Sequence, residues 1–218
     1  MTVHGEPRAG PGRHRWSPVE RRLRLTGGLL IAGVDEVGRG PLAGPVVACA
    51  VIMPPDMRAI AGVNDSKQLA PSERERLAIK ILRSALAVRL GAASVREIDE
   101  LNIYKATALA MRRALRRLSL APHHVLVDGR PIGILGVPHT AVVGGDGRCY
   151  SVACASIVAK VTRDRLMRAL AKRHPLYHWE QNVGYGTPAH LAALWANGSC
   201  RHHRRSFLPQ KQLEFLPD

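Results

Sequence analysis

The chain has 218 residues, of which 46 % are apolar, enough for one domain with a sizeable core and too apolar for a disordered polypeptide. Lys and Arg number 32 against 17 Asp and Glu, and a formal charge of +15 favours a polyanionic partner such as nucleic acid. Four cysteines without C-x-x-C spacing argue against a zinc site or a disulfide framework and for a reducing, cytoplasmic compartment; no run is long and apolar enough for a membrane span.

Residues 1–25 are rich in Arg, Pro and Gly and are expected to form a partly disordered basic tail. Residues 29–34 read as a first strand. Residues 46–53 read as a second, apolar on both faces and ended by Pro54-Pro55. Asp65-Ser66-Lys67 falls in the next loop. Ser72 and Glu75 have capping-box spacing ahead of a helix with Leu77, Ile81, Ala85 and Val88 on one face. A strand is expected near 86–92, then a helix over 97–118 that ends in Arg112, Arg113, Arg116 and Arg117. Those cations suit a helix C-terminus and need not be a binding patch. Residues 125–127 form a short strand ending in Asp128-Gly129. Residues 139–143 form another, ending in Gly144-Gly145-Asp146, and a helix follows over 153–172. The pattern predicts an α/β fold with a core over residues 26–172. Residues 173–218 read as a small helical, substrate-contacting region and tail, with one helix over 188–197.

Asp35, Glu36, Asp128 and Asp146 each follow an apolar segment. Hard divalent cations take oxygen ligands, and two metals can stabilise both the attacking and the leaving oxygen of a phosphodiester. Strand-terminal Asp also caps turns and helices, so each acid has a structural alternative. Neighbouring strand residues point to opposite faces, so Asp35 and Glu36 can share a site only if the strand ends or bends there. Asp164 is a rival fourth ligand, with an ion pair to Arg168 as its simpler role. The Gly38-Arg39-Gly40 turn allows a ligand to approach the backbone.

At this point the motifs resemble a known family. Gly33-Val34-Asp35-Glu36-Val37-Gly38-Arg39-Gly40-Pro41 is similar to the opening motif of bacterial ribonuclease HII. The likeness continues through Asp65-Ser66-Lys67, Val127-Asp128-Gly129, Gly145-Asp146, Thr162-Arg163-Asp164, Gly184-Tyr185-Gly186-Thr187 and His203-Arg204-Arg205-Ser206, covering roughly residues 30–209. The resemblance implies a ribonuclease H-like mixed sheet flanked by helices. It also implies cleavage of RNA in RNA–DNA hybrids and of single ribonucleotides embedded in duplex DNA, leaving 5′-phosphate and 3′-hydroxyl ends.

By position, Asp35, Glu36, Asp128 and Asp146 would hold Mn2+ or Mg2+, two ions with substrate. Gly38, Arg39 and Gly40 would sense the ribose 2′-hydroxyl. Tyr185 would pack on the neighbouring deoxyribose, its alternative being a core aromatic, and Lys67 would contact phosphate. Gly144 and Val183 stand where lysines are usual, and Cys154 replaces a small alanine as a buried thiol. The tail resembles sliding-clamp docking peptides, with Gln212, Leu213 and Phe215 as anchors; a frayed terminus is the simpler reading. A monomer would suffice. A junction nuclease or a non-catalytic protein of the same fold are alternatives, but the first would not need the paired Gly-Arg-Gly and Gly-Tyr-Gly turns and the second would be expected to lack an acid.

Overall fold

The computed structural model describes residues 16–208. It opens with helix α1 (Pro18–Leu25), where a loose basic tail was expected. Local chemistry explains the difference. The Ser17 hydroxyl accepts from the Glu20 N–H, and the Glu20 carboxylate accepts from the Ser17 N–H, a complete capping box with Pro18 at the first helical position.

Strand β1 (Ile31–Val37) pairs antiparallel with β2 (Val46–Ile52). Helix α2 (Pro71–Ser84) leads to β3 (Ala87–Ala93), which pairs antiparallel with β2. Helices α3 (Val95–Leu101) and α4 (Ile103–Arg116) precede β4 (His124–Asp128) and β5 (Thr140–Val142). β4 lies parallel to both β1 and β5, giving a five-stranded mixed sheet in the order β3-β2-β1-β4-β5. The short α5 (Gly145–Arg148), the long α6 (Tyr150–Ala171), α7 (Trp179–Asn182) and α8 (Pro188–Asn197) are the remaining α-helices of the described residues.

β2 is buried at every position because both its faces are covered. Ala48, Ala50 and Ile52 face α4, where Ala106, Ala110 and Met111 lie. Cys49 and Val51 face α2 and α6, where Leu77, Ile81 and Ile157 lie. Each large apolar side chain so buried contributes about 1.5–3 kcal/mol. α6 rests directly on β1: a Cβ on Gly33 would stand 2.1 Å from the Ser151 carbonyl carbon. Tyr177, Ala193, Leu194 and Leu208 gather around Trp179 and pack on Ala43 and Met167.

Three local expectations are corrected. The single helix over 97–118 is two helices, split at Asn102 with φ of 71°, whose side chain accepts from the Lys105 N–H and starts α4. The capping box at Ser72 and Glu75 does not form, because Pro71 begins α2 one position before Ser72, after an uncapped Ala70. A box forms instead at Ser94 and Glu97. Val88 belongs to β3 rather than to the face of α2.

Candidate functional site

The site begins where one strand outlasts its neighbour. β1 and β4 run in parallel register as far as Val34 and Val127. β4 ends one residue later, at Asp128, while β1 continues through Asp35 and Glu36 to Val37. The next step of the same register sets Asp35 beside Asp128, at the carboxyl ends of parallel strands where α/β sheets collect their sites. No bend separates the two β1 acids: Asp35 stays paired with Cys49 and Glu36 with Ala48. The expected strand end between them is therefore corrected. The adjacent acids serve one region from opposite sides of the sheet rim. Asp35 turns toward Ser156 of α6, and Glu36 shares a cavity of about 380 Å3 with Tyr104, Thr107 and Asp128.

Hydrogen bonds fix the frame. Asp35 Oδ1 accepts from the Glu36 N–H at 2.8 Å, and Asp128 Oδ1 accepts from the Gly145 N–H at 2.6 Å. The second bond ties the end of β4 to α5, which carries Asp146. Ser156 lies 2.9 Å from Ser66, so the Asp65-Ser66-Lys67 loop closes over α6. Lys67 Nζ then reaches Asp146 Oδ2 at 3.2 Å, and Arg39 reaches Glu36 at 3.1 Å.

Burial pushes the Asp35 carboxyl well above the usual carboxylate range, and Glu36 and Asp128 push it further against a Ser156 hydrogen bond. Burial also raises Glu36, opposed by Arg39 and aided by Asp128. Asp146 is raised by burial and by Asp128, against Lys67. Asp128 acts on all three, so the four acids form one electrostatic unit. Crowded, desolvated carboxylate oxygens beside few compensating cations suit a hard divalent ion. Among the described residues no group of three or more His, Cys, Asp or Glu side chains is arranged to hold a metal ion. The oxygen donors of these acids are of the chemical type that a hard divalent ion takes.

Gly38 begins the adjoining turn with φ of 90°, a conformation that favours glycine. Two fully buried arginines hold this turn. Arg163 of α6 donates to the carbonyls of Ala43, Pro45 and Val183 at 2.9–3.0 Å. Arg204 donates to the carbonyls of Gly38, Arg39 and Gly44 at 2.5–3.0 Å. Arg163 thereby links residues 43–45, which follow the Gly38–Gly40 turn, to Val183 beside Gly184. There Tyr185 is 44 % exposed, and a Cβ on Gly40 would lie 3.7 Å from its ring.

The Tyr185 carbonyl is held by His190 Nδ1 at 2.8 Å. His190 Nε2 in turn accepts from Trp179 Nε1 at 3.1 Å and lies 3.1 Å from His203 Nε2. Arg163 and Arg204 fall within the motifs that resemble the family, but a single sequence does not show that they, His190 and Ser156 are buried or which groups they bond. Asp164, the rival ligand, pairs with Lys160 at 2.9 Å; Arg168 pairs with Glu75 instead. Cys154 is fully buried, and burial raises its thiol. Gly144 and Val183 both take left-handed backbone, with φ of 67° and 44°. Gln212, Leu213 and Phe215 lie outside the described residues.

Residues 32–209 match the family described as Ribonuclease HII. The chain is 57 % identical over 192 residues to ribonuclease HII of Jannaschia sp. (strain CCS1), covering 88 % of this chain and 94 % of the relative. Ribonuclease H2 from Pyrococcus horikoshii OT3 superposes with a TM-score of 0.72 at 28 % identity, over 85 % of this chain and 96 % of that one. The structure of the PCNA:RNase HII complex from Archaeoglobus fulgidus gives 0.67 at 26 %, over 86 % and 100 %. Bst-RNase HIII in complex with Mn2+ shares the fold, with a TM-score of 0.67 at 21 % identity over 89 % and 72 %. The family match and more than half identity across nearly the whole of a relative place the chain in the ribonuclease HII family, and so among the ribonuclease H endonucleases.

Proposed function

We propose that this enzyme hydrolyses the RNA strand of RNA–DNA hybrids and incises at single ribonucleotides embedded in duplex DNA. The cuts leave 5′-phosphate and 3′-hydroxyl ends and serve ribonucleotide removal during replication and repair. The observation that carries the reading is the meeting of four electrostatically coupled carboxylates with the Gly38–Gly40 turn and an exposed Tyr185.

Asp35, Glu36, Asp128 and Asp146 would hold two Mn2+ or Mg2+ ions with substrate. When bound, such ions neutralise phosphate charge and lower the pKa of the attacking water. The rest falls to the chain. Asp35 Oδ1, which accepts from the Glu36 N–H, is held in place by its own strand. Lys67, paired with Asp146 at 3.2 Å, is within reach of a phosphate that enters the cluster. Main-chain groups of Gly38, Arg39 and Gly40 read the 2′-hydroxyl, which both donates and accepts. The Tyr185 ring packs on the next deoxyribose. Arg163 and Arg204 keep the two reading elements at a fixed separation. Gly144 and Val183 offer no cation to phosphate, so binding relies more on Lys67, Arg39 and the general positive charge.

The proposal assigns catalysis to residues 26–172 and substrate contact to 173–218, in a cytoplasmic monomer. Among the described residues, no helix is long and apolar enough to cross a membrane. By analogy with the archaeal relative solved with PCNA, Gln212, Leu213 and Phe215 are proposed to dock on a sliding clamp. Equal clamp recovery by the full chain and by a chain ending at Pro209 would rule that out.

Asp128→Asn tests the catalytic assignment. The variant is expected to fold with an unchanged circular-dichroism spectrum and to lose cleavage by about a thousandfold or more. Wild-type turnover would remove Asp128 from its role.

A further inference from the structure

Helix α1 lies before the family match, which starts at residue 32, yet it reaches the catalytic frame through one fully buried carboxylate. Glu20 Oε2 accepts from the Ser17 N–H at 2.7 Å and from the Tyr150 N–H at 3.1 Å. Glu20 Oε1 accepts from the Ser151 N–H at 2.8 Å. Tyr150 and Ser151 are the first two residues of α6, and α6 has no side-chain cap from its own N-cap residue, Cys149. Glu20 therefore supplies from another helix the cap that α6 lacks, at the end of the helix where a negative charge is favoured. Val19 and Leu23 seat α1 against the cluster formed by Ile31, Leu126 and Val152.

The position of this cap matters for the site. On one side, the Cys149 N–H donates to the Gly145 carbonyl at 2.7 Å, which leads straight to Asp146. On the other, Ser151 is the backbone against which Gly33 packs, two residues before Asp35. The carboxylate of Glu20 thus fixes the one backbone turn that touches both the Asp146 segment and the Asp35 strand. We propose that Glu20 is a positioning residue for the metal centre, setting the separation of Asp146 from the Asp35–Asp128 pair. It touches neither substrate nor metal and acts through the start of α6. The inference rests on the carboxylate assignment above.

Glu20→Gln tests it. The amide keeps the shape of the side chain but brings its own N–H donors against N–H donors of the helix, so the three-bond cap cannot be complete. Mn2+ binding without substrate is measured by the loss of the free-ion paramagnetic resonance signal, beside thermal stability, kcat and KM. The expected result is Mn2+ binding weaker by about tenfold, in the range of supporting residues around metal ligands. The kcat deficit at low Mn2+ should shrink at high Mn2+, with KM for the duplex within about twofold of wild type. Glu97→Gln serves as the reference for stability alone, since Glu97 bonds Ser94 and Arg113 away from the acids. It should lower Tm while leaving Mn2+ binding unchanged. Wild-type Mn2+ affinity in Glu20→Gln, whatever its Tm, overturns the proposal. If Glu20→Gln does not accumulate folded, Glu20→Asp takes its place: a carboxylate too short to span the cap should weaken Mn2+ in the same way, and wild-type affinity again overturns it. Unaltered Mn2+ binding by Asp128→Asn would refute the underlying carboxylate assignment instead.

Discussion

Two residues illustrate how this protein uses charge where water is absent. Arg163 is fully buried with no carboxylate partner among the described residues, and its donors meet carbonyls of Ala43, Pro45 and Val183. Burial lowers its pKa, but the hydrogen bonds keep the geometry of both segments. Arg163→Met would fill the space and orphan the carbonyls of Ala43, Pro45 and Val183. The expected cost is about 3 kcal/mol, since each unsatisfied group costs about 1–3 and relief of the buried charge offsets part. Cleavage at an embedded ribonucleotide should fall by about a hundredfold as the turns lose register; an unchanged rate would show that they are held some other way. His203 is the second case. Burial, and then the neighbouring His190, push its pKa down to about 3. Its Nδ1 accepts from the Cys200 N–H, leaving Nε2–H for His190 Nε2, so a proton has no place in the cluster. The folded state keeps His203 neutral while the unfolded chain protonates near pH 6.5. Stability from this group is therefore complete above pH 6.5 and is lost as pH falls toward 3. Urea unfolding at pH 5 should give a stability about 1–2 kcal/mol below that at pH 7, and His203→Gln should flatten the difference. An equal pH slope in wild type and variant would contradict the assignment. The acids were legible in the sequence because carboxylates at the ends of apolar runs are poor core material. The buried roles of Arg163 and Arg204 were not, although both fall within the family-like motifs, because an arginine that donates to carbonyls is spelled the same as one in water.

At the scale of elements, the site depends on how closely α6 lies on β1. Gly33 makes that contact possible. Gly33→Ala places a Cβ against helix backbone that has no room to yield, at an expected cost of about 3 kcal/mol. For a domain of this size the Tm should drop by about 6–12 °C. Loss of Mn2+ affinity should accompany it, because Asp35 lies two residues away on the same strand; an unchanged Tm would mean that α6 moves freely. The strands and their polar ends could be read from periodicity. The break between α3 and α4 could not, since an apolar face continues across Asn102 and only its positive φ reveals the interruption. α1 was hidden for a related reason: the Arg-rich surroundings of Ser17-Pro18-Val19-Glu20 outweighed a four-residue capping box in any reading by composition.

For the whole molecule, the order β3-β2-β1-β4-β5 is what turns a list of acids into a site. It puts two acidic segments far apart in the chain, around Asp35 and Asp128, on neighbouring parallel strands, and the β5-to-α5 link delivers Asp146 beside them. The C-terminal region then folds back through Arg204 onto the Gly38–Gly40 turn and brings Tyr185 to Gly40. Sequence could name the fold class and the motifs, but this return of residues 184–204 onto residues 38–45 is a tertiary fact with no local signal. In the proposed function, four carboxylates support cleavage beside a ribose read by that paired turn. That function is tested most directly by incubating the enzyme with duplexes carrying zero, one or several ribonucleotides, with Mn2+, Mg2+ or chelator, and mapping the ends. Metal-dependent incision at the ribonucleotide is expected, leaving 5′-phosphate and 3′-hydroxyl ends, with the all-DNA duplex intact. Cleavage of all-DNA duplex, or incision that survives the chelator, would contradict it.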